Sequence, residues 1–419
     1  MLPELLRRLA FLCVLAVVLV LPIENVFVIP GVGSLSRLAG ILLILSAVPA
    51  FLGRGYFQFR RQPVVVMLLA LYVLWALASL MWSVDPASTM SYVFTFVQLL
   101  ILVVVIWQLC VTDRDRLAVQ QAYVIGSAIA VFEGVRNFVL GNEAVYQRFS
   151  VSNTDPNDYA LILALAIPMA WDLFANQRGF VRVLNLLCIP LVLVGIILTG
   201  SRGGSLAAAV ALLVVPLGFM ALDRFGRRTI LALLLAGLLA VPFFWGDIVT
   251  TVGSNIERIS TLGEELSSGT LNDRAIIWDL GMEAFGERPL TGVGGGAFPA
   301  AIEKAAGVRE LAHNTFISVA VEMGLVGLLL FGSVMVVLTV PLVRSYSVRT
   351  MPGVILLLTL LVGITPLTWE FRKPTWLVIA LLLVLGGVQI ARHANLRPFR
   401  PRLGAKLSVS GQLSDGLES

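Results

Sequence analysis

Residues 246–314 read GDIVTTVGSNIERISTLGEELSSGTLNDRAIIWDLGMEAFGERPLTGVGGGAFPAAIEKAAGVRELAHN, the one long polar stretch between apolar runs in this chain. The runs on both sides have about the 20 residues that a helix needs to cross a bilayer. The chain has 419 residues, of which 58% are hydrophobic and 13% are charged, and its mean hydropathy is +0.92. A soluble domain could not bury that much apolar surface, so the composition predicts a membrane protein.

The apolar runs predict an all-α polytopic membrane protein with about twelve transmembrane helices. We expect helices 1–9 in residues 1–245, a loop with short amphipathic helices in 246–312, helices 10–12 in 313–391 and a disordered tail in 392–419. The predicted spans lie near residues 9–24, 34–52, 63–82, 92–111, 118–139, 158–175, 181–199, 204–221, 229–245, 322–343, 353–370 and 375–391.

Basic residues are distributed unevenly over the short loops between these runs. One alternating set contains arginine clusters such as Arg224, Arg227 and Arg228, whereas the other contains segments such as 24–34 and 82–89 with no basic residue. By the positive-inside rule both termini are cytoplasmic, and the 246–312 loop is on the opposite side. The net charge of +5 then reflects topology and contact with anionic lipid, so no nucleic-acid partner is expected.

Polar and charged side chains form four clusters at the predicted outer face. Two of the clusters lie in turns whose polar residues can cap the helix that follows. The third begins an amphipathic helix that carries Trp278, Met282 and Phe285, and the fourth lies where the tenth span begins. The candidate site residues in these clusters are Arg148, Asn157, Ser201, Arg202, Arg274, Arg288, Arg309, His313, Asn314 and Glu322.

Several arginines and one histidine suit the displacement of a phosphate or diphosphate leaving group. Arginine forks onto phosphate oxygens and neutralises the charge that develops as the bond breaks. Histidine can take the proton from an attacking hydroxyl. The sequence contains no side chains at metal-ligand spacing, no strained nucleophile turn and no fixed carboxylate pair. The glycines at 292–296 lack the Lys of a nucleotide-binding loop. We therefore expect neither a metal nor a cofactor.

The order of these clusters resembles the O-antigen ligase/polymerase family of bacterial envelope proteins. The similar pieces are Arg148 with the Asp-Pro-Asn157 helix entry, the Ser201-Arg202-Gly-Gly turn, Arg274-Ala-Ile-Ile-Trp278, the Pro289–Phe298 segment, and His313-Asn314 followed by Glu322-Met-Gly-Leu-Val-Gly327. The resemblance covers roughly residues 145–345, and the flanking spans agree only in hydropathy.

The resemblance implies a GT-C-like glycosyltransferase of the bacterial inner (cytoplasmic) membrane, with a periplasmic active site. Its donor would be a glycan on undecaprenyl diphosphate, and its acceptor a sugar hydroxyl of lipid A–core. Carried over by position, Arg202 and Arg274 would bind the diphosphate and His313 would activate the acceptor. Arg148, Arg288 and Arg309 would be further substrate-binding residues, and transfer would invert the anomeric carbon without a metal.

Two alternatives to the ligase remain open at the level of the sequence. A polymerase of O-antigen or exopolysaccharide would use the same donor and lengthen another repeat unit. A flippase or transporter of lipid-linked sugars belongs to a different class and would also need arginines at the outer face. It would be expected to carry charged residues along its spans, whereas the polar residues here crowd one face.

Overall fold

The computed structural model describes residues 2–393, except 27, 30–32, 53–62, 141–149, 152–153, 234, 236–273, 308 and 345–346. Its described residues are almost entirely helical. The two-residue strands Val28–Ile29 and Gly33–Ser34 pair antiparallel, and short 3₁₀ turns lie at Leu21–Ile23 and Ser79–Met81. The α-helices that build the fold are α1 Leu2–Val20, α2 Leu35–Leu52, α3 Pro63–Ala78, α4 Pro86–Leu109, α5 Asp113–Val139, α6 Pro156–Asn176, α7 Phe180–Thr199, α8 Arg202–Leu212, α9 Val214–Phe219, α10 Arg274–Glu287, α11 Phe298–Ala306, α12 Thr315–Arg344, α13 Met351–Gly363 and α14 Lys373–His393.

The predicted all-α membrane fold is confirmed. Within the described residues, eight helices are long and apolar enough to cross a membrane, and three shorter apolar helices accompany them. α8 and α9 together form one of the eight, from Arg202 to Phe219. Most of the predicted ninth span at 229–245 lies outside the described residues, as do most of the loop's first half and the tail from 394 onward.

Helix α6 forms the centre of the bundle. In its apolar stretch 89% of the residues are buried, a much larger share than in any other candidate span of the described residues. Helices α5, α7, α8 and α13 pack around it, and small residues allow close approach. A Cβ on Gly204 would lie 2.2 Å from the Cβ of Ala160, for example, so α8 touches α6 nearly backbone to backbone. The central helix therefore fixes the positions of its neighbours' ends.

The side chains at the two ends of the bundle form separate polar groups. At one end, which we call the His313 end, Lys373 pairs with Glu24 and Arg372 pairs with Asp158. At the opposite end, which we call the Arg182 end, Arg116 pairs with Asp172 and Arg182 with Asp223. The 21 residues of α6 separate the two ends by roughly 30 Å.

Helix α12 is broken at Gly324, where the backbone adopts φ 66° and ψ −170°. The segment 289–294 docks at the break and satisfies the backbone groups that the break releases, as membrane burial requires. The hydrogen bonds run from Val293 N to Val321 O (2.9 Å), from Gly294 N to Glu322 O (2.9 Å), from Leu325 N to Pro289 O (2.8 Å) and from Trp75 Nε1 to Met323 O (2.8 Å). The 31 residues from 313 to 343 are more than one span needs, so the sequence predicts a break near Gly324. The structure has this break and shows that it is a backbone-to-backbone junction.

We expect Gly324→Ala to destabilise the protein, whereas the matched change Gly332→Ala on the same helix leaves it unaffected. A Cβ at Gly324 would lie 2.3 Å from the carbonyl oxygen of Leu290, and the φ/ψ values there are essentially restricted to glycine. The strain alone costs about 1–3 kcal/mol. At Gly332 no atom lies within 4 Å of the added Cβ. Thermal unfolding of the purified variants measures the difference, and equal melting temperatures would disprove the junction.

Candidate active site

His313 lies directly before α12 and is held by hydrogen bonds to its neighbours on both sides. Trp278 Nε1 on α10 donates to Ala312 O at 2.7 Å. Thr315 is bound to the α13–α14 loop, since its Oγ1 donates to Leu367 O (2.7 Å) and accepts from Trp369 N (2.9 Å). His313 itself has φ 46°, the one positive φ of a non-glycine residue in the described part of the chain. Such a conformation persists only where the surroundings fix it.

Arg274 and the turn that carries Arg202 both lie against Pro366. The Arg274 Nη1 donates a long hydrogen bond of 3.4 Å to Pro366 O. A Cβ on Gly203, the residue after Arg202, would lie 2.7 Å from Pro366 Cγ. The loop arginine and the hairpin turn, 72 residues apart in the numbering, therefore contact the same proline at the His313 end.

Arg274 and three carboxylates influence the pKa of the His313 imidazole. Its pKa is lowered from the usual 6.5, first because it is partly buried and then because the Arg274 cation is close. The carboxylates of Asp155, Glu310 and Asp158 act in the opposite direction. Burial also lowers the pKa of the Arg274 guanidinium, against the influence of Asp155. The site thus combines a neutral imidazole at pH 7 with a half-buried cation, which is the combination that a base beside an anionic leaving group requires.

Asp158, on the first turn of α6, is a member of the site that sequence reasoning did not include. Its Oδ1 accepts from Trp369 Nε1 (2.7 Å), and its Oδ2 pairs with Arg372 Nη2 (2.8 Å). These bonds hold the α13–α14 loop against α6. The sequence contains one indication of such an acid: Arg372 lies on the predicted outer side, where a positive charge is disfavoured unless it has an acidic partner.

Three of the predicted substrate-binding residues act as helix caps or cap partners. Ser201 caps α8 by accepting from Gly204 N, and its Oγ donates to Asn157 Oδ1 at 2.9 Å. Asn157 lies in the first turn of α6, so this bond joins the starts of two helices. Asn314 caps α12, because its Oδ1 accepts from Phe316 N (3.0 Å) and Ile317 N (3.1 Å). Each residue lies at the His313 end and contributes to its geometry.

The other predicted arginines differ in their surroundings. Arg148 lies outside the described residues. The Nη1 of Arg288 donates to Trp82 O at 2.9 Å and so holds the loop between α3 and α4. Arg309 is exposed and pairs with Asp85 (2.7 Å) and Glu303 (3.1 Å), so its charge is already compensated by two carboxylates. Of the predicted site arginines, Arg274 is the one that shifts the pKa of His313.

Glu322 is one of the predicted substrate-binding residues, and an arginine or Lys373 is the partner that the sequence suggests for it, but its partners among the described residues are different. The side chain is buried beneath the glycine-rich segment, where it accepts from Gly296 N (2.8 Å) and Phe298 N (3.2 Å). Lys373 pairs with Glu24 instead. A second buried carboxylate, Glu370, interacts with Glu322, and burial raises the pKa of Glu370. Glu322 therefore holds the glycine-rich segment through the backbone N–H groups of Gly296 and Phe298.

The amphipathic helix predicted around Trp278 exists as α10, and its packed face overlaps the predicted one in part. The buried positions are Ile277 and Gly281, and Phe285 packs beside them, whereas Met282 is 45% exposed. A Cβ on Gly281 would lie 2.7 Å from the ring of Phe298, so the missing side chain lets α10 approach α11 closely. The centre of the packed face is therefore Ile277 and Gly281 and not Met282.

Residues 186–332, from α7 to the middle of α12, match the family model Wzy_C, described as O-antigen ligase. The matched range contains Arg202, Arg274 and His313. None of the curated proteins matches the chain significantly. Over residues 186–332 the chain is therefore similar to the O-antigen ligase family, which supports the family that the sequence predicted.

Proposed function

We propose that the protein is a glycosyltransferase that moves a glycan from undecaprenyl diphosphate to a sugar hydroxyl of lipid A–core. The observation that carries this proposal is the meeting of Arg274 and the Arg202 turn at Pro366, beside the imidazole of His313. The family match gives the reaction class, because it is described as O-antigen ligase. The protein would lie in the bacterial inner membrane with both termini in the cytoplasm and the His313 end in the periplasm.

The proposed reaction is a single displacement at the anomeric carbon. The acceptor hydroxyl forms the new glycosidic bond, while the bond from the anomeric carbon to the diphosphate oxygen breaks and the diphosphate takes its electron pair. Arg202 and Arg274 stabilise the charge on the departing diphosphate. His313 takes the proton of the hydroxyl. The anomeric configuration is inverted, and the diphosphate leaves without needing a general acid.

A reconstituted assay with a chelator present tests this proposal. Purified protein in vesicles receives a glycan on undecaprenyl diphosphate together with lipid A–core, and the products are separated by size and by lipid. We expect wild type to attach the glycan to the core and Arg202→Ala to do so at least roughly 100-fold more slowly. Arg136→Ala is the matched control, since Arg136 is exposed and pairs locally with Glu133.

The products also separate the alternatives. Longer glycans on the lipid carrier, with the core unchanged, would identify a polymerase with the same site. Movement of the donor across the bilayer without any covalent product would contradict the transferase and favour a flippase. If Arg202→Ala and Arg136→Ala lost activity equally, the proposed diphosphate site would be wrong.

A further inference from the structure

A cavity of about 580 Å³ opens at the Arg182 end of the bundle, away from His313. It is lined by the end of α6, the start of α7, the turn after α9 and the start of α13. The wall includes the indole of Trp171, which packs so closely on Gly218 that a Cβ there would lie 2.6 Å from its Nε1. The volume lies in the range of sites that hold small molecules or lipid headgroups.

The charges that line the cavity leave an excess of cations. Its two carboxylates are already paired, Asp172 with Arg116 and Asp223 with Arg182. The hydrogen bonds from Arg182 lower the pKa of Asp223 to about 2. Arg178 and Arg349 also line the cavity, both are exposed, and the ion pairs found among the described residues involve neither. Two positive charges are thus uncompensated at the rim.

Each of these two arginines lies directly before the N-terminus of a helix. Arg178 precedes Gly179, the N-cap of α7, and Arg349 precedes Thr350, the N-cap of α13. Gly179 has no side chain to cap α7, so the first N–H groups of that helix lack a side-chain cap. At the start of α13 the Met351 N–H donates to Ser347 O (2.9 Å) and Pro352 has no N–H, so that helix contributes its dipole alone. The start of α7 therefore adds N–H donors to the two cations.

Arg182 provides a separate indication of a missing acceptor. Its side chain is only 8% exposed, and the guanidinium is fixed over the rings of Phe174 and Phe225, at 4.6 and 5.7 Å from their centroids. Both Nη atoms bind Asp223, but the Nε–H is buried without a hydrogen-bond partner. A buried donor of this kind usually has an acceptor in the functional state of a protein.

We propose that this cavity binds the phosphate of an anionic ligand, with the headgroup of an anionic phospholipid as its occupant at the membrane surface. Phosphate oxygens match the fork of arginine and the N–H groups of helix starts. Exposed apolar side chains at Phe180 (74%) and Met220 (75%) lie on the adjoining α7 and beside α9, where acyl chains would run. Binding at this end is independent of the transfer chemistry proposed for the His313 end.

The test compares two charge-matched double variants of the full chain. Arg178→Gln with Arg349→Gln removes the rim cations, whereas Arg224→Gln with Arg228→Gln removes two exposed arginines of the same end that do not line the cavity. Bound phosphatidylglycerol is counted by native mass spectrometry, and its affinity is measured by titrating phosphatidylglycerol or phosphatidylcholine into the detergent-purified protein. Inorganic pyrophosphate is titrated in a parallel arm.

We expect wild type and the Arg224/Arg228 variant to retain phosphatidylglycerol and to prefer it to phosphatidylcholine. The Arg178/Arg349 variant should bind it roughly 100-fold more weakly, because two charge-assisted contacts are lost. Pyrophosphate binding with the same dependence on Arg178 and Arg349, and no lipid preference, would support the phosphate site with a soluble ligand as its source. Equal losses in both double variants, or no binding by wild type, would overturn the proposal. Unchanged melting temperatures without ligand verify that both variants fold.

Discussion

Replacing His313 with Asn should lower the rate of glycan transfer roughly 10²–10⁴-fold while the protein remains folded. The imidazole is the group that we propose takes the proton of the acceptor hydroxyl, and asparagine cannot do so. Asparagine is the suitable replacement because it tolerates the positive φ of 46° at this position better than alanine. The loss would then report the missing base and not a distorted backbone.

The measurement is the transfer rate at saturating donor and acceptor, together with the melting temperature of each variant. His393→Asn serves as the control, since His393 is the other histidine of the chain and lies at the far end of α14. If His313→Asn kept more than about a third of the wild-type rate, the loss would be far smaller than removal of a general base causes. That result would show that a different group accepts the proton.

Arg274→Gln should have the second-largest effect, a fall of roughly 10²–10³-fold in transfer together with a shift in pH dependence. The fall follows from loss of a cation beside the leaving diphosphate. The shift follows from electrostatics, because the Arg274 charge is one reason that the pKa of His313 lies below 6.5. Without that charge the pKa of His313 rises, so the acid limb of the rate profile moves to higher pH. In wild type this limb should lie below pH 6.5.

Asp155→Asn tests the sign of the same effect. The Asp155 carboxylate raises the pKa of His313, so its removal should move the acid limb to lower pH, opposite to Arg274→Gln. Asparagine is also a good N-cap, and it can keep the bonds that Asp155 accepts from the first turn of α6. Shifts in the same direction for both variants, or no shift in either, would mean that the titrating group is not His313.

The spans of this fold could be predicted from sequence because hydropathy acts locally. An apolar run of about 20 residues is sufficient to predict a membrane-spanning helix, whatever lies beside it. The break at Gly324 was also expected from the length of the run after His313. Its junction with residues 289–294 could not be predicted, since it consists of backbone hydrogen bonds that carry no side-chain signature.

The candidate site was predicted only as far as single residue types allowed. The chemistry of Arg202, Arg274 and His313 marks them as candidates, but Pro366, which contacts both Arg274 and the turn that carries Arg202, has no functional signal in the sequence. Asp158 was overlooked because its partner Arg372 is more than 200 residues further along the chain. The partners of Glu322 could not be predicted, since they are backbone N–H groups that carry no side-chain signal.

The junction at Gly324 also bears on the order in which the molecule is made. Segment 289–294 emerges from the ribosome before α12, so the donors that close the break already exist when the carbonyls of Val321 and Glu322 enter the membrane. Those carbonyls would be costly in hydrocarbon without partners. We therefore expect α12 to insert and the segment to dock together. A chain in which the segment fails to dock should then also lose the position of His313, which lies directly before α12.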